Sequence, residues 1–151
     1  MIINNGLKKE EWKSILFQIC FGLAVAQKVY KFCHNDLHSQ NIMFIPTTED
    51  YMYYEFNSKY FRVPTFGKIV KIIDFGRATF IYNNIIYFSS VFDEYGDADG
   101  QYDYPEDDTF LNCKVKPNPS FDLARLSSTI IDHFHHKNQI YKLLSSWLID
   151  K

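Results

Sequence analysis

The strongest constraint on the fold is a long helical pattern over residues 8–31. Trp12, Ile15, Leu16, Ile19, Leu23, Ala26 and Tyr30 recur at spacings of three and four. Phe17, Phe21 and Val25 form a second stripe at spacing four. A helix apolar on two faces must be buried on most sides, so the rest of the chain has to wrap around it. Glu10 and Glu11 fall in its first turn, where carboxylates suit the positive end of the helix dipole.

The character changes abruptly after this helix. His34-Asn35-Asp36-Leu37-His38-Ser39-Gln40-Asn41 is polar and runs straight into a strand pattern, Ile42-Met43-Phe44-Ile45. A second strand pattern, 68–73, ends in Asp74-Phe75-Gly76. Two loops at strand ends therefore carry Asp36, Asn41 and Asp74. Such a set suits phosphoryl transfer from ATP, where positioning and charge neutralisation dominate over covalent chemistry. One carboxylate orients the attacking hydroxyl. A second, with an amide oxygen, holds Mg²⁺, a hard cation that prefers oxygen ligands.

The two segments in this order resemble the protein kinase family, whose pattern is H-R-D-L-x-x-x-N followed by D-F-G. The surrounding wording also looks like kinase-like proteins of large DNA viruses. The resemblance implies Asp36 as catalytic base, Asn41 and Asp74 as Mg²⁺ ligands, and Phe75 and Gly76 as the rest of the cofactor-side motif. His34 and Asp122 would be structural supports, Asp122 bracing the catalytic-loop backbone from a later helix. Two positions depart from the pattern. Asn35 stands where most kinases have an Arg that pairs with an activation-loop phosphate. His38 stands where serine/threonine kinases usually have a Lys that meets the transferred phosphate; small-molecule phosphotransferases of the aminoglycoside and choline kinase type often have His there.

The implied fold is α+β: a protein-kinase-like C-terminal lobe, mostly helical, with small antiparallel hairpins and no N-terminal lobe. Its parts would be a catalytic loop at 34–41, an inserted hairpin at 46–67, a metal motif at 74–76, an acidic activation-like segment at 77–119 and a helical part at 120–151. The implied activity is ATP- and Mg²⁺-dependent transfer to a protein Ser or Thr hydroxyl in the complete protein. The alternatives are a small-molecule phosphotransferase, which His38 favours, and a non-catalytic scaffold. No Gly-rich G-x-G-x-x-G run occurs in the sequence, and the chain alone is expected to be inactive. A partner covering the exposed face of the lobe is expected.

Composition narrows the setting. Of 151 residues, 46% are apolar and 23% charged, a globular balance, and 18% aromatic content argues against disorder. A net charge of −2 gives no nucleic-acid footprint. The longest apolar run, 15–26, is too short to span a bilayer, so no membrane is expected and a soluble, intracellular location follows: cytoplasmic, or host cell and virion if viral. Cys20, Cys33 and Cys113 have no metal spacing and read as small buried hydrophobes.

Between the two motifs, 51–56 and 60–63 read as strands around a turn at Asn57-Ser58-Lys59. Their tyrosines either form a docking surface or pack on one another. After Arg77 come apolar runs at 79–82 and 85–88, and Asn83-Asn84 between them reads as a tight turn. From Ala78 to Cys113 there is no Lys or Arg, while Asp93, Glu94, Asp97, Asp99, Asp103, Glu106, Asp107 and Asp108 accumulate. That run reads as a solvated, mobile loop, or as a site for a basic peptide. Asp97-Ala98-Asp99-Gly100 with Glu106 half-resembles a calcium loop. Ser120 is expected to cap a helix with a core face of Phe121, Leu123, Leu126, Ile130 and Phe134. His133, His135 and His136 read as solvated residues near its end. Ile140, Leu143, Leu144, Trp147 and Leu148 suggest a last helix.

Overall fold

In the computed structural model, residues 6–100 and 118–149 are described. Helix α1 spans Lys9–Tyr30. The Glu11 carboxylate accepts the Lys8 backbone N–H at 2.9 Å and takes the Lys68 ammonium at 2.7 Å. One side chain thus caps the helix and ties it to the strand that carries Lys68. The Lys68 hydrogen bond, with the Lys8 N–H, holds the Glu11 carboxyl below its ordinary range. Lys31, in the left-handed region at φ 51°, ends the helix.

The first stripe of α1 lies in the core. Trp12, Ile15, Leu16, Ile19 and Leu23 are buried against Leu37, Ile42, Leu126, Ile130, Ile140 and Leu144. Burial of each such side chain contributes about 1.5–3 kcal/mol. The second stripe meets a different layer: Phe21 lies 4.6 Å from Tyr54, and Phe17 lies 5.3 Å from Phe61, between ring centroids. Enclosure fails toward the C-terminal end, where Val25, Val29 and Tyr30 are exposed. There the expectation of a helix buried on most sides does not hold.

Two polar residues inside the apolar run moor the helix to the strands. Strands β1 (Ile42–Pro46) and β4 (Lys68–Ile72) pair antiparallel, Ile42 opposite Ile72 and Phe44 opposite Val70. Gln18 accepts from the Val70 N–H at 2.9 Å and donates to the Lys68 carbonyl at 3.4 Å. Its amide thus stands in for a neighbouring strand on the unpaired edge of β4. Ser14 donates to the Pro64 carbonyl at 2.6 Å.

Between β1 and β4, strands β2 (Tyr51–Phe56) and β3 (Lys59–Pro64) form the expected hairpin. Its turn is Asn57-Ser58 alone, both residues at positive φ, and Lys59 belongs to β3. That is the two-residue turn whose twist matches right-twisted strands. Of its tyrosines, Tyr54 packs on α1, while Tyr53 and Tyr60 are 74% and 78% exposed. Strands β5 (Phe80–Tyr82) and β6 (Ile85–Tyr87) pair around Asn83-Asn84, again both at positive φ.

Helix α2 (Ser120–Ile130) and helix α3 (Gln139–Trp147) close the core. Ser120 does not cap α2. It is the first helical residue, and its N–H donates to Asn118 Oδ1 at 2.9 Å, so the side chain nearest the break takes the capping role. Ser127 donates to the Leu144 carbonyl at 2.7 Å and binds α2 to α3. His133, His135 and His136 are exposed beyond α2.

Three two-stranded ribbons among the described residues make the chain less helical than expected: it is mixed, with three α-helices and short antiparallel pairs. Residues 89–100 are not an open loop. Phe92 and Ala98 are buried, and the Ala98 N–H reaches the Val91 carbonyl at 2.7 Å. Asp93, Glu94, Asp97 and Asp99 remain at the surface. The acidic residues 103 and 106–108, the Glu106 of the calcium-loop reading, and Cys113 lie outside the described residues.

Candidate active site

The loop between α1 and β1 is fixed by a carboxylate from another helix. Asp122 Oδ2 and Oδ1 accept the backbone N–H groups of His34 and Asn35 at 2.8 and 2.9 Å. Asp122 is fully buried. Burial pushes its carboxyl above the ordinary range, and the two N–H donors oppose that shift. Asp122 thus ties the backbone of residues 34 and 35 to α2.

His34 is buried and joins the two motifs: its Nε2 lies 2.9 Å from the Ile73 carbonyl. The Ile73 N–H donates to the Asn41 carbonyl at 3.0 Å. Ile73 is thus held at both backbone groups by the first loop, and Asp74 follows it directly. Below them, Cys33 and Thr79 exchange backbone bonds of 2.9 Å in each direction. Burial first, and then the Asp122 charge, pushes the Cys33 thiol up to about 12, in keeping with an inert core residue.

Asn35 sits at φ 63°, which Asn tolerates better than most side chains. Its amide donates to the Arg77 carbonyl at 2.8 Å and to Thr79 Oγ1 at 3.2 Å. The position that departs from the kinase pattern therefore ties the loop to the chain after Gly76.

Asp36 and His38 face each other, with His38 Nε2 at 3.6 Å from Asp36 Oδ2. Asn41 Nδ2 donates to the Asp36 carbonyl at 3.0 Å. With its nitrogen so used, the Asn41 side chain offers its oxygen as a ligand atom. Asp74, at φ 62° and exposed, makes a long contact of 3.5 Å with the Gly76 N–H. Phe75 is 55% exposed, its ring 5.4 Å from that of His34.

The donor chemistry fits Mg²⁺: one carboxylate and one amide oxygen on adjoining loops, with the ion's remaining positions left for water and phosphate. No group of three or more His, Cys, Asp or Glu side chains among the described residues could hold a metal by itself.

One charged residue escaped the sequence reading. Arg125 of α2 places Nη2 at 3.6 Å from Asp36 Oδ1. Its only signal was its position three residues after Asp122, which puts both on one side of the helix.

Comparison with known proteins finds several relatives named as serine/threonine-protein kinases. The chain is 36% identical over 92 residues to the serine/threonine-protein kinase haspin of Bos taurus, covering 61% of this chain and 12% of that protein. It is 38% identical over 69 residues to a haspin homologue of Arabidopsis thaliana, covering 46% and 12%. It is 31% identical over 139 residues to the putative serine/threonine-protein kinase R301 of Acanthamoeba polyphaga mimivirus, covering 89% and 28%. The chain is similar to protein serine/threonine kinases. It spans 28% or less of the length of each of these relatives. No family profile matches it. None of its described helices is long and apolar enough to cross a membrane.

Proposed function

We propose that this chain carries the catalytic side of a protein kinase, which transfers phosphate from Mg-ATP to a protein Ser or Thr hydroxyl. The observation that carries this reading is the double grip on Ile73 by His34 and Asn41, which sets Asp74 beside the loop holding Asp36. In this reading 34–41 is the catalytic loop, 46–67 an insertion, 74–76 the metal motif, 77–119 the activation-like segment and 120–151 the helical support.

Asp36 accepts a hydrogen bond from the attacking hydroxyl and orients it. Asn41 and Asp74 would hold Mg²⁺, which when bound neutralises phosphate charge. His38 donates one hydrogen bond beside Asp36. Asp122 and His34 keep the two loops in register. ATP and a protein substrate, basic in view of the acidic surface after Gly76, are the partners implied.

The test is phosphate incorporation into Ser/Thr peptides by the full-length protein with Mg-ATP. Asp36→Asn should abolish it. Incorporation that survives this substitution would remove Asp36 from the chemistry. His38 favours a second reading, a small-molecule phosphotransferase. Turnover of amino-sugar or choline-like alcohols with no peptide phosphorylation would select it.

A further inference from the structure

We propose that Arg125 is a positioning residue for Asp36. From α2 its guanidinium, and from the loop the His38 imidazole, hold the two carboxylate oxygens in one orientation. The claim rests on the reading of Asp36 as the group that orients the hydroxyl.

The geometry is two-sided. Arg125 Nη2 stands 3.6 Å from Oδ1, and His38 Nε2 stands 3.6 Å from Oδ2. His38 Nδ1 accepts the Gln40 backbone N–H at 3.2 Å. With Nδ1 so used, a neutral imidazole would carry its proton on Nε2, the nitrogen that faces Asp36 and also lies 3.4 Å from Asn41 Nδ2. The backbone of Asp36 is also fixed, its carbonyl accepting from Asn41 Nδ2 and from the His38 N–H, both at 3.0 Å. What remains to be set is the carboxylate itself.

The loop 34–41 contains no Lys or Arg. Arg125 brings a permanent cation to Asp36, whereas His38 is charged only when protonated. Its helix is the one that holds the loop, since Asp122, three residues earlier, takes the His34 and Asn35 N–H groups. Backbone and side chain of the loop are thus referred to one rigid element, the condition for holding a catalytic group to a fraction of an ångström. The Arg125 side chain is 43% exposed. A pair so exposed contributes little to folding stability. Its effect should appear in rate, not in melting.

Two measurements decide the matter. In the 151-residue chain, the Arg125 guanidinium N–H signals in a nitrogen-15 NMR spectrum should shift and exchange faster in Asp36→Asn, and hold in His38→Gln. Signals identical in wild type and Asp36→Asn would overturn the proposal. In the full-length protein, Arg125→Gln should lower kcat by about tenfold to a hundredfold, the scale of a misplaced catalytic group, with KM for Mg-ATP unchanged. Arg125→Lys should recover most of that loss. Wild-type kcat in Arg125→Gln would equally overturn it. If the wild-type protein transfers no phosphate, the kinase reading fails, and the guanidinium signal alone still decides whether Arg125 holds Asp36.

Discussion

Asp122 accepts the backbone N–H of His34 at 2.8 Å across 88 residues of sequence. The contact is buried and shared with Asn35. Removing the carboxylate leaves two N–H groups without acceptors in a dry environment, each costing about 1–3 kcal/mol. Asp122→Ala should therefore destabilise the chain by roughly 3 kcal/mol, with burial of two donors outweighing the relief of burying a charge. Asp122→Asn keeps one acceptor and should cost about half as much. Urea denaturation of both variants would check the order; equal stability of Asp122→Ala and wild type would contradict it.

A second prediction concerns acid. The Glu11 carboxyl is held below its ordinary value of 4.5 by Lys68 and the Lys8 N–H. A depressed carboxyl contributes stability above its unfolded value and loses it as pH falls through the folded one. Glu11→Gln should thus be less stable than wild type near neutrality by about 1 kcal/mol, since the pair is only partly buried. The gap should close below pH 4.5, as Glu11 becomes protonated in both states. Melting temperatures of the two proteins at neutral pH and at about pH 3 measure this directly. A gap of constant size would show that the carboxylate's charge is not what matters.

Much of this arrangement could be read from the chain, and the misses have physical causes. The two motifs were legible because polar residues packed into a short run after an apolar helix have few structural uses. The hairpin was legible from alternation and Asn57-Ser58. Gln18 was legible only as an interruption, because a side chain that completes a strand edge looks like any polar residue until the strand is placed. Ser120 was mistaken for a cap because Asn118, two residues earlier, offers an equally good acceptor. Arg125 was silent for a related reason: a cation on a helix surface has no local signature, and its meaning comes from a loop many residues away. Asn35 was visible as a departure, but its bonds to Arg77 and Thr79 follow from long-range packing.

Asp74 and Asp36 should separate by function. Asp74 is the exposed carboxylate next to Ile73, whereas the Asp36 carboxylate lies 3.6 Å from both His38 Nε2 and Arg125 Nη2. In the full-length protein, Asp74→Ala should abolish Mg-nucleotide binding. Asp36→Asn should leave that binding within about threefold and lower turnover by at least a hundredfold, the pattern of a group used only in the transition state. Isothermal titration with Mg-ATP and single-turnover rates give the two numbers. Equal loss of nucleotide affinity in both variants would refute the division.

The last prediction is that the 151 residues, expressed alone, transfer phosphate barely or not at all. The reason lies in what these residues can surround. Asn41 and Asp74 supply two oxygen ligands, and Mg²⁺ bound by one or two protein groups relies on substrate phosphates and its own waters for the rest. Those phosphates need donors of their own, and the sequence has no G-x-G-x-x-G run to cradle them. The side of the β1–β4 ribbon away from the core leaves Met43, Ile45 and Ile73 exposed, with Phe75 just beyond. In the proposed kinase reading this face is one wall of the nucleotide cleft. A nucleotide against a single wall keeps its water and its freedom, so neither positioning nor a low-dielectric surrounding strengthens the charges. The loss should be on the order of a thousandfold in rate relative to a closed site. Radiolabelled phosphate incorporation by the purified chain into a basic Ser/Thr peptide should match an Asp36→Asn control. Incorporation well above that control would mean that residues within these 151, such as the Tyr53–Tyr60 face of the hairpin, close the cleft by themselves.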